Sequence, residues 1–265
     1  MAPSMALSDF DVTGRRVLIT GAGRGIGRGI ALAMEEAGAD VAVTSLGEAN
    51  AAKVAAEVQA LGRRGFGWAA DGTSVGPMEA IREKVLQALG GLDILVNCVG
   101  DSIPGAVAQA PGGEGRVMSE TEWHRVVDLN LTQAFVGCHV FGPHLLAQGS
   151  GCAINISSFA AFRATANMSA YAAAKTGLTR FTEAVALEWA PSVRVNGIAP
   201  GQFPDPEQLT EEEWRAREER GAGNIPLRRF GRVREVGLMA VYLASDAASY
   251  ITGQTFQLDG GRGIR

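Results

Sequence analysis

Aromatic residues are scarce in this chain, 6% of 265, and only three of them are tyrosines. Histidine and cysteine also number three each. So thin a supply, without paired cysteine spacing, assembles no zinc motif. His124, His139 and His144 read instead as helix-face residues. The odd count of Cys98, Cys138 and Cys152, set among apolar neighbours, argues for reduced thiols rather than a disulfide framework. No uninterrupted apolar run approaches the length of a membrane span. The start, "MAPSMALSDFDVTG", has neither a basic stretch nor an apolar core, so it does not read as a secretory signal. A net charge of −4 gives nucleic acid and anionic membranes no electrostatic attraction. The expectation is a soluble, cytoplasmic protein that binds neither.

Glycine, by contrast, is abundant at 35 residues, many of them at the ends of apolar runs. The chain is long enough for one substantial core and short for two ordinary domains. Short apolar runs alternate with segments of helical period. "RVLIT" (16–20), "DVAVTS" (40–45), "GFGWAAD" (65–71) and "LDILVN" (92–97) read as strands, with helices between them. A long helix follows over 119–141, opened by a capping box of Ser119 and Glu122. "CAINIS" (152–157), a helix over 167–189, "VRVNGIAP" (193–200), a second capping box at Thr210 and Glu213, another helix and "QTFQLDGG" (254–261) complete the series. Repeated β-α-β units with buried strands predict an α/β fold: one Rossmann-like, doubly wound parallel sheet with helices on both faces. No linker divides the chain, so residues 1–265 are expected to form a single domain.

Two short stretches carry chemistry. "TGAGRGIG" (20–27) lies between the first strand and the first helix, where bare amides and a helix dipole suit a pyrophosphate. The pattern G-x-G-x-x-G is met in no register; Gly21, Gly25 and Gly27 give T-G-x-x-x-G-x-G instead, with Arg24 and Ile26 between them. An acid at the end of the second strand would favour NAD. Here Ser45 stands at that point and Glu48 is the nearest acid. Arg24 either approaches the same ribose, favouring NADP, or pairs with a helix carboxylate. In "SAYAAAKTG" (169–177), Tyr171 and Lys175 stand one helical turn apart on one face. Alone, such a pair reads more readily as a core aromatic, Tyr171, and a solvated surface lysine, Lys175.

With "NISS", "DLN" (128–130), "RVNGIAPG" (194–201) and "YITGQTFQLDGG" (250–261) in the same order, the chain resembles the single-domain branch of the short-chain dehydrogenase/reductase family. The resemblance implies hydride transfer between a nicotinamide cofactor, NADPH favoured and NAD possible, and a carbonyl or secondary alcohol. It implies Tyr171 as general acid or base, Lys175 lowering the phenol's pKa and holding the nicotinamide ribose, Ser158 orienting the substrate oxygen, and Asn130 supporting a relay water. Ser157 is the alternative to Ser158. Asp71 either meets the adenine or caps the next turn. Gly72, Asn97, Val99, Gly100, Pro200 and Gly201 complete the implied cofactor contacts. "NCVG" (97–100) departs from the family's NNAG, and Asp205 stands where a threonine is common. The loop 101–118 and a lid over 202–224 carrying Phe203, Trp214, Arg215 and Arg217 are expected to set the substrate. Arg163 either reads an anionic group or faces solvent. The members most similar are 3-oxoacyl-carrier-protein reductases, and the resemblance implies a homotetramer. The rivals are an NAD-dependent alcohol dehydrogenase and a catalytically silent dinucleotide sensor.

Overall fold

The computed structural model describes residues 8–264. The amino-terminal stretch read above begins with residues 1–7, which lie outside the described residues. Seven strands form one sheet: β1 (Arg16–Thr20), β2 (Asp40–Ser45), β3 (Gly65–Ala69), β4 (Ile94–Asn97), β5 (Gly151–Ile156), β6 (Val193–Pro200) and β7 (Thr255–Leu258). Their order is β3-β2-β1-β4-β5-β6-β7, and every neighbouring pair is parallel. The helices are α1 (Gly25–Glu36), α2 (Glu48–Ala60), α3 (Val75–Leu89), α4 (Glu120–Val127), α5 (Gln133–Gln148), α6 (Ser169–Trp189), α7 (Glu211–Gly221) and α8 (Val233–Ala244).

Both sheet faces are covered because both sets of alternating strand residues are apolar. Val17, Ile19, Val41, Val43, Ile94, Val96 and Ile154 pack with Ile30 and Met34 of α1, Val54 of α2 and Val236 and Ala240 of α8. Leu18, Ala42, Leu95 and Ala153 face the other way, toward Met78 and Val85 of α3, Phe141 and Leu145 of α5 and Val185 of α6. Burying each large side chain of this kind contributes about 1.5–3 kcal/mol. α1 and α8 come together through glycines. A Cβ on Gly29 would stand 2.9 Å from the Val233 backbone, and one on Gly237 would stand 2.6 Å from the Gly29 carbonyl oxygen.

The chain leaves β1 toward β2 and β3, then returns to place β4 on β1's other side. Loops beyond the carboxyl ends of these two strands therefore diverge and open a crevice. The expected helix over 119–141 is present in two pieces joined by a π turn at Asp128–Thr132. Asn130 sits in that turn, its Nδ2 donating to the carbonyls of Val126 (2.8 Å) and Asp101 (2.6 Å). Both capping boxes form as expected. Among the described residues no helix is long and apolar enough to cross a membrane.

Candidate active site

β1 ends in a tight turn that only glycine makes readily: Gly21 has φ 67° and Gly25, opening α1, has φ 54°. Contact requires glycine at Gly21 and Gly23 as well. A Cβ on Gly21 would stand 2.8 Å from Val99 Cα, and one on Gly23 would stand 2.5 Å from Ser45 Oγ. Gly25 is different: where its Cβ would project, only the Asp205 carboxylate comes near, at 3.7 Å. Such a cradle, at a helix start whose cap residue Arg24 supplies no side-chain hydrogen bond, fits a pyrophosphate.

Two adjoining cavities meet at this loop and share Gly21, Arg24, Cys98, Gly100 and Asp101. The first, of about 330 Å³, is walled by Ser45, Asn50, Asp71, Gly72, Val99 and Arg125. The second, of about 370 Å³, is walled by Gly25, Ile26, Gly27, Ser158, Tyr171, Lys175, Pro200 and Gly201. Their volumes and shape suit the two halves of a dinucleotide plus a small substrate. Glu48 lines neither cavity, and Arg24 lines both without an ion pair among the described residues; it is Arg28, on the helix, that pairs with Glu57 at 2.7 Å. Asp71 caps the following turn, its Oδ1 accepting from Thr73 N (2.9 Å) and Oγ1 (2.6 Å), and these bonds hold its carboxyl below the usual range. It lines the first cavity as well.

Asn97 ties the sheet to its helices. Its Nδ2 donates to Asn155 Oδ1 (2.9 Å), and Asn155 donates in turn to Thr182 Oγ1 on α6 (2.9 Å). Beyond it, Cys98 and Val99 line the cleft, and Val99 fills the space between Gly21 and Gly72. Burial pushes the Cys98 thiol up to about 12, so it is unreactive near neutrality.

Tyr171 and Lys175 rise from one face of α6, with Lys175 Nζ 5.8 Å from the Tyr171 ring centroid. Lys175 is 3% exposed and donates to the Ile156 carbonyl at 2.8 Å. Burial lowers its pKa to about 8. The expectation that Lys175 lowers the pKa of Tyr171 is not met in this structure. The phenol stands above its ordinary value because burial disfavours the phenolate; the Ser158 hydroxyl opposes this, and the Asp101 carboxylate reinforces it. The geometry also separates the two serines. Ser157 Oγ is turned onto α6, bonded to the Lys175 carbonyl (3.2 Å) and Thr179 Oγ1 (3.3 Å). Ser158 faces the phenol. Asn130 Oδ1 is buried without a hydrogen-bond partner among the described residues. It lies 3.0 Å, and Lys175 Nζ 3.2 Å, from the point where a Cβ on Gly100 would stand. An orphaned acceptor facing an ammonium across a bare glycine fits a bridging water.

Several expected substrate contacts lie elsewhere. Of the four lid residues, only Phe203 reaches the cleft. Trp214 packs edge-on against Phe230, centroids 6.1 Å apart, and Arg215 and Arg217 face outward on α7. Arg163 donates to the Arg262 carbonyl at 2.8 Å, at the surface. The loop 101–118 does border the site: Asp101 and Ser102 line the second cavity, and Gly105 N bonds the Asn167 carbonyl at 2.9 Å. Sequence reasoning missed Asp101, Asn50 and Arg125. For Asp101 the signal was present, since it directly follows Gly100 in the turn after β4; Arg125 carried only its place one turn before Leu129.

Residues 21–262 match the family model described as enoyl-(acyl carrier protein) reductase. A 2-dehydro-3-deoxy-D-gluconate 5-dehydrogenase of Pseudoalteromonas atlantica is 35% identical over 257 residues, covering 96% of this chain and 98% of its own. A 3-oxoacyl-[acyl-carrier-protein] reductase FabG of Staphylococcus aureus is 34% identical over 249 residues, covering 93% and 97%. A 7α-hydroxysteroid dehydrogenase, solved with NADH and 7-oxo glycochenodeoxycholic acid, superposes with a TM-score of 0.87 at 30% identity, covering 97% of this chain and 98% of that one. The chain belongs to the short-chain dehydrogenase/reductase family, oxidoreductases that interconvert C=O and CH–OH groups with a nicotinamide cofactor.

Proposed function

We propose that this protein is an NADPH-dependent carbonyl reductase that uses Tyr171 as general acid, one domain carrying both the cofactor cleft and the catalytic residues. The observation that carries the reading is the convergence of Tyr171, Ser158 and Lys175 on one cavity beside the glycine loop. The nicotinamide, when bound, supplies the hydride. Gly21, Arg24, Gly25, Ile26 and Gly27 would hold its pyrophosphate, Ser45, Asp71, Gly72, Asn97, Val99 and Gly100 would shape the adenosine side, and Pro200 and Gly201 the nicotinamide side. Ser158 donates to the substrate carbonyl oxygen and orients it. Tyr171 gives that oxygen its proton, and its raised pKa keeps the phenol protonated, which suits an acid rather than a base at neutral pH. Lys175 would hold the nicotinamide ribose. With Asn130 and a water it then returns a proton to Tyr171.

NADPH is favoured because the residues that line this cavity after β2, Ser45, Leu46, Gly47 and Asn50, include no acid, and Arg24 lines the same cavity. Titration with NADPH and NADH separately, followed by nicotinamide fluorescence, tests this. A tenfold preference for NADPH, about 1.4 kcal/mol, is expected; a preference for NADH would identify an NAD-dependent alcohol dehydrogenase instead. The substrate is a small carbonyl or alcohol compound. The protein is read as cytoplasmic and homo-oligomeric, a tetramer. Exposed apolar side chains support the latter: Phe135 on α5, Leu187 on α6 and Tyr250 before β7 are 49%, 83% and 103% exposed.

A further inference from the structure

A short acidic segment crosses the cleft. After β6, residues 202–208 pass over the glycine loop, and Phe203, Asp205 and Gln208 line the same cavity as Gly21, Gly25 and Tyr171. Glu207 reaches the opposite wall. Its Oε2 stands 2.8 Å from Lys53 Nζ on α2, and its Oε1 3.6 Å from Arg28 Nη2 on α1. One carboxylate on the loop after β6 thus joins two helices that flank the phosphate cradle.

Asp205 faces the cradle itself. Its Oδ1 accepts from the Glu207 amide at 3.1 Å, which fixes the carboxylate. Its Oδ2 lies 3.7 Å from the point where a Cβ on Gly25 would stand, and apart from the loop's own neighbours and the α1 backbone no other atom of the described residues comes within 4 Å. The first amides of α1 lack intrahelical partners, and the helix dipole is positive there. A carboxylate therefore stands at the seat best suited to an anion.

We propose that residues 202–208 form an acidic strap. Asp205 competes with the cofactor pyrophosphate for the start of α1, and Glu207 clasps the strap to Lys53 and Arg28, so cofactor entry requires the clasp to open. The proposal rests on the reading of the cleft as a nicotinamide dinucleotide site. Exposed ion pairs of this kind are individually weak, so the strap slows entry without blocking it.

Binding of NADPH and of NADH to the unsubstituted protein and to Asp205→Asn, Glu207→Gln and Lys53→Met tests it by equilibrium titration and stopped-flow fluorescence. The first substitution removes the charge yet keeps an acceptor for the Glu207 amide, and Lys53→Met opens the clasp from its other side. D205N is expected to tighten NADPH binding about fivefold. The observed binding rate is expected to level off at high NADPH in the unsubstituted protein, as opening becomes limiting, with a higher plateau in both E207Q and K53M. The strap alone is overturned if the unsubstituted protein binds NADPH and D205N binds it no tighter, or if the rates are linear and equal in all four proteins. If neither the unsubstituted protein nor D205N binds either nucleotide, the strap and the cofactor reading both fall.

Discussion

Lys175 and Tyr171 share one problem: each is a chargeable group held where water is scarce. Burial keeps the phenol neutral and draws the lysine down to about 8, so near neutrality the pair is a phenol beside an ammonium ready to part with its proton. The pH dependence follows with its sign. In the proposed mechanism reduction needs the phenol protonated, which its raised pKa secures, and needs Lys175 charged, which fails as pH rises through about 8. The kcat/KM for reduction is expected to stay level through neutrality and fall above about 8; a rate still climbing at pH 9 would contradict this. The same group has a stability signature. Between about 8 and its ordinary 10.5 the native state binds fewer protons at Lys175 than the unfolded chain. This residue's unfavourable contribution is thus full below that window and relieved as pH rises across it. Denaturant titrations of Lys175→Met should lose that upward slope. Spacing alone showed which residues meet, since four positions on a helix share a face, but it left the direction of the Tyr171 shift wrong. Opposite charge and desolvation act in opposite senses, and only the depth of burial decides between them.

At the level of elements, strands and helices were legible because both physical signals were strong. β-branched runs stopped at glycines, and serine or threonine stood three residues before glutamate at two helix starts. The π turn was not legible. The apolar pattern continues across residues 128–132, and the cause of the break is Asn130 reaching the Val126 and Asp101 carbonyls, which no periodicity displays. Close helix packing was equally hidden, because a glycine within a helix reads only as a weak former. Gly237 faces Ala33 and Gly29 of α1 with no space for a side chain. Gly237→Leu is expected to destabilise the protein by roughly 1–3 kcal/mol through overpacking, seen as a lower urea midpoint at unchanged slope. An unchanged midpoint would mean that α8 moves freely away from α1.

On the scale of the whole molecule, the reversal of strand order between β1 and β4 creates the cleft, which residues at six strand ends and on α6 line. Membership of the family was legible because its motifs fall in order along nearly the whole chain. The expected lid over 202–224 was legible only as a segment: α7 turns Trp214 inward onto Phe230, which leaves Arg215 and Arg217 on its exposed side. A ligand spanning this cleft binds the native state alone, so NADPH at a hundred times its Kd should stabilise the protein by about 2.7 kcal/mol, visible as a raised melting temperature. The most direct test of the account is a pre-steady-state measurement of NADPH oxidation with a β-keto ester by the unsubstituted protein and Tyr171→Phe. Loss of at least about 100-fold in rate, with NADPH affinity retained, is the predicted result. A Tyr171→Phe protein that binds NADPH and turns over at an undiminished rate would show that the proton comes from elsewhere.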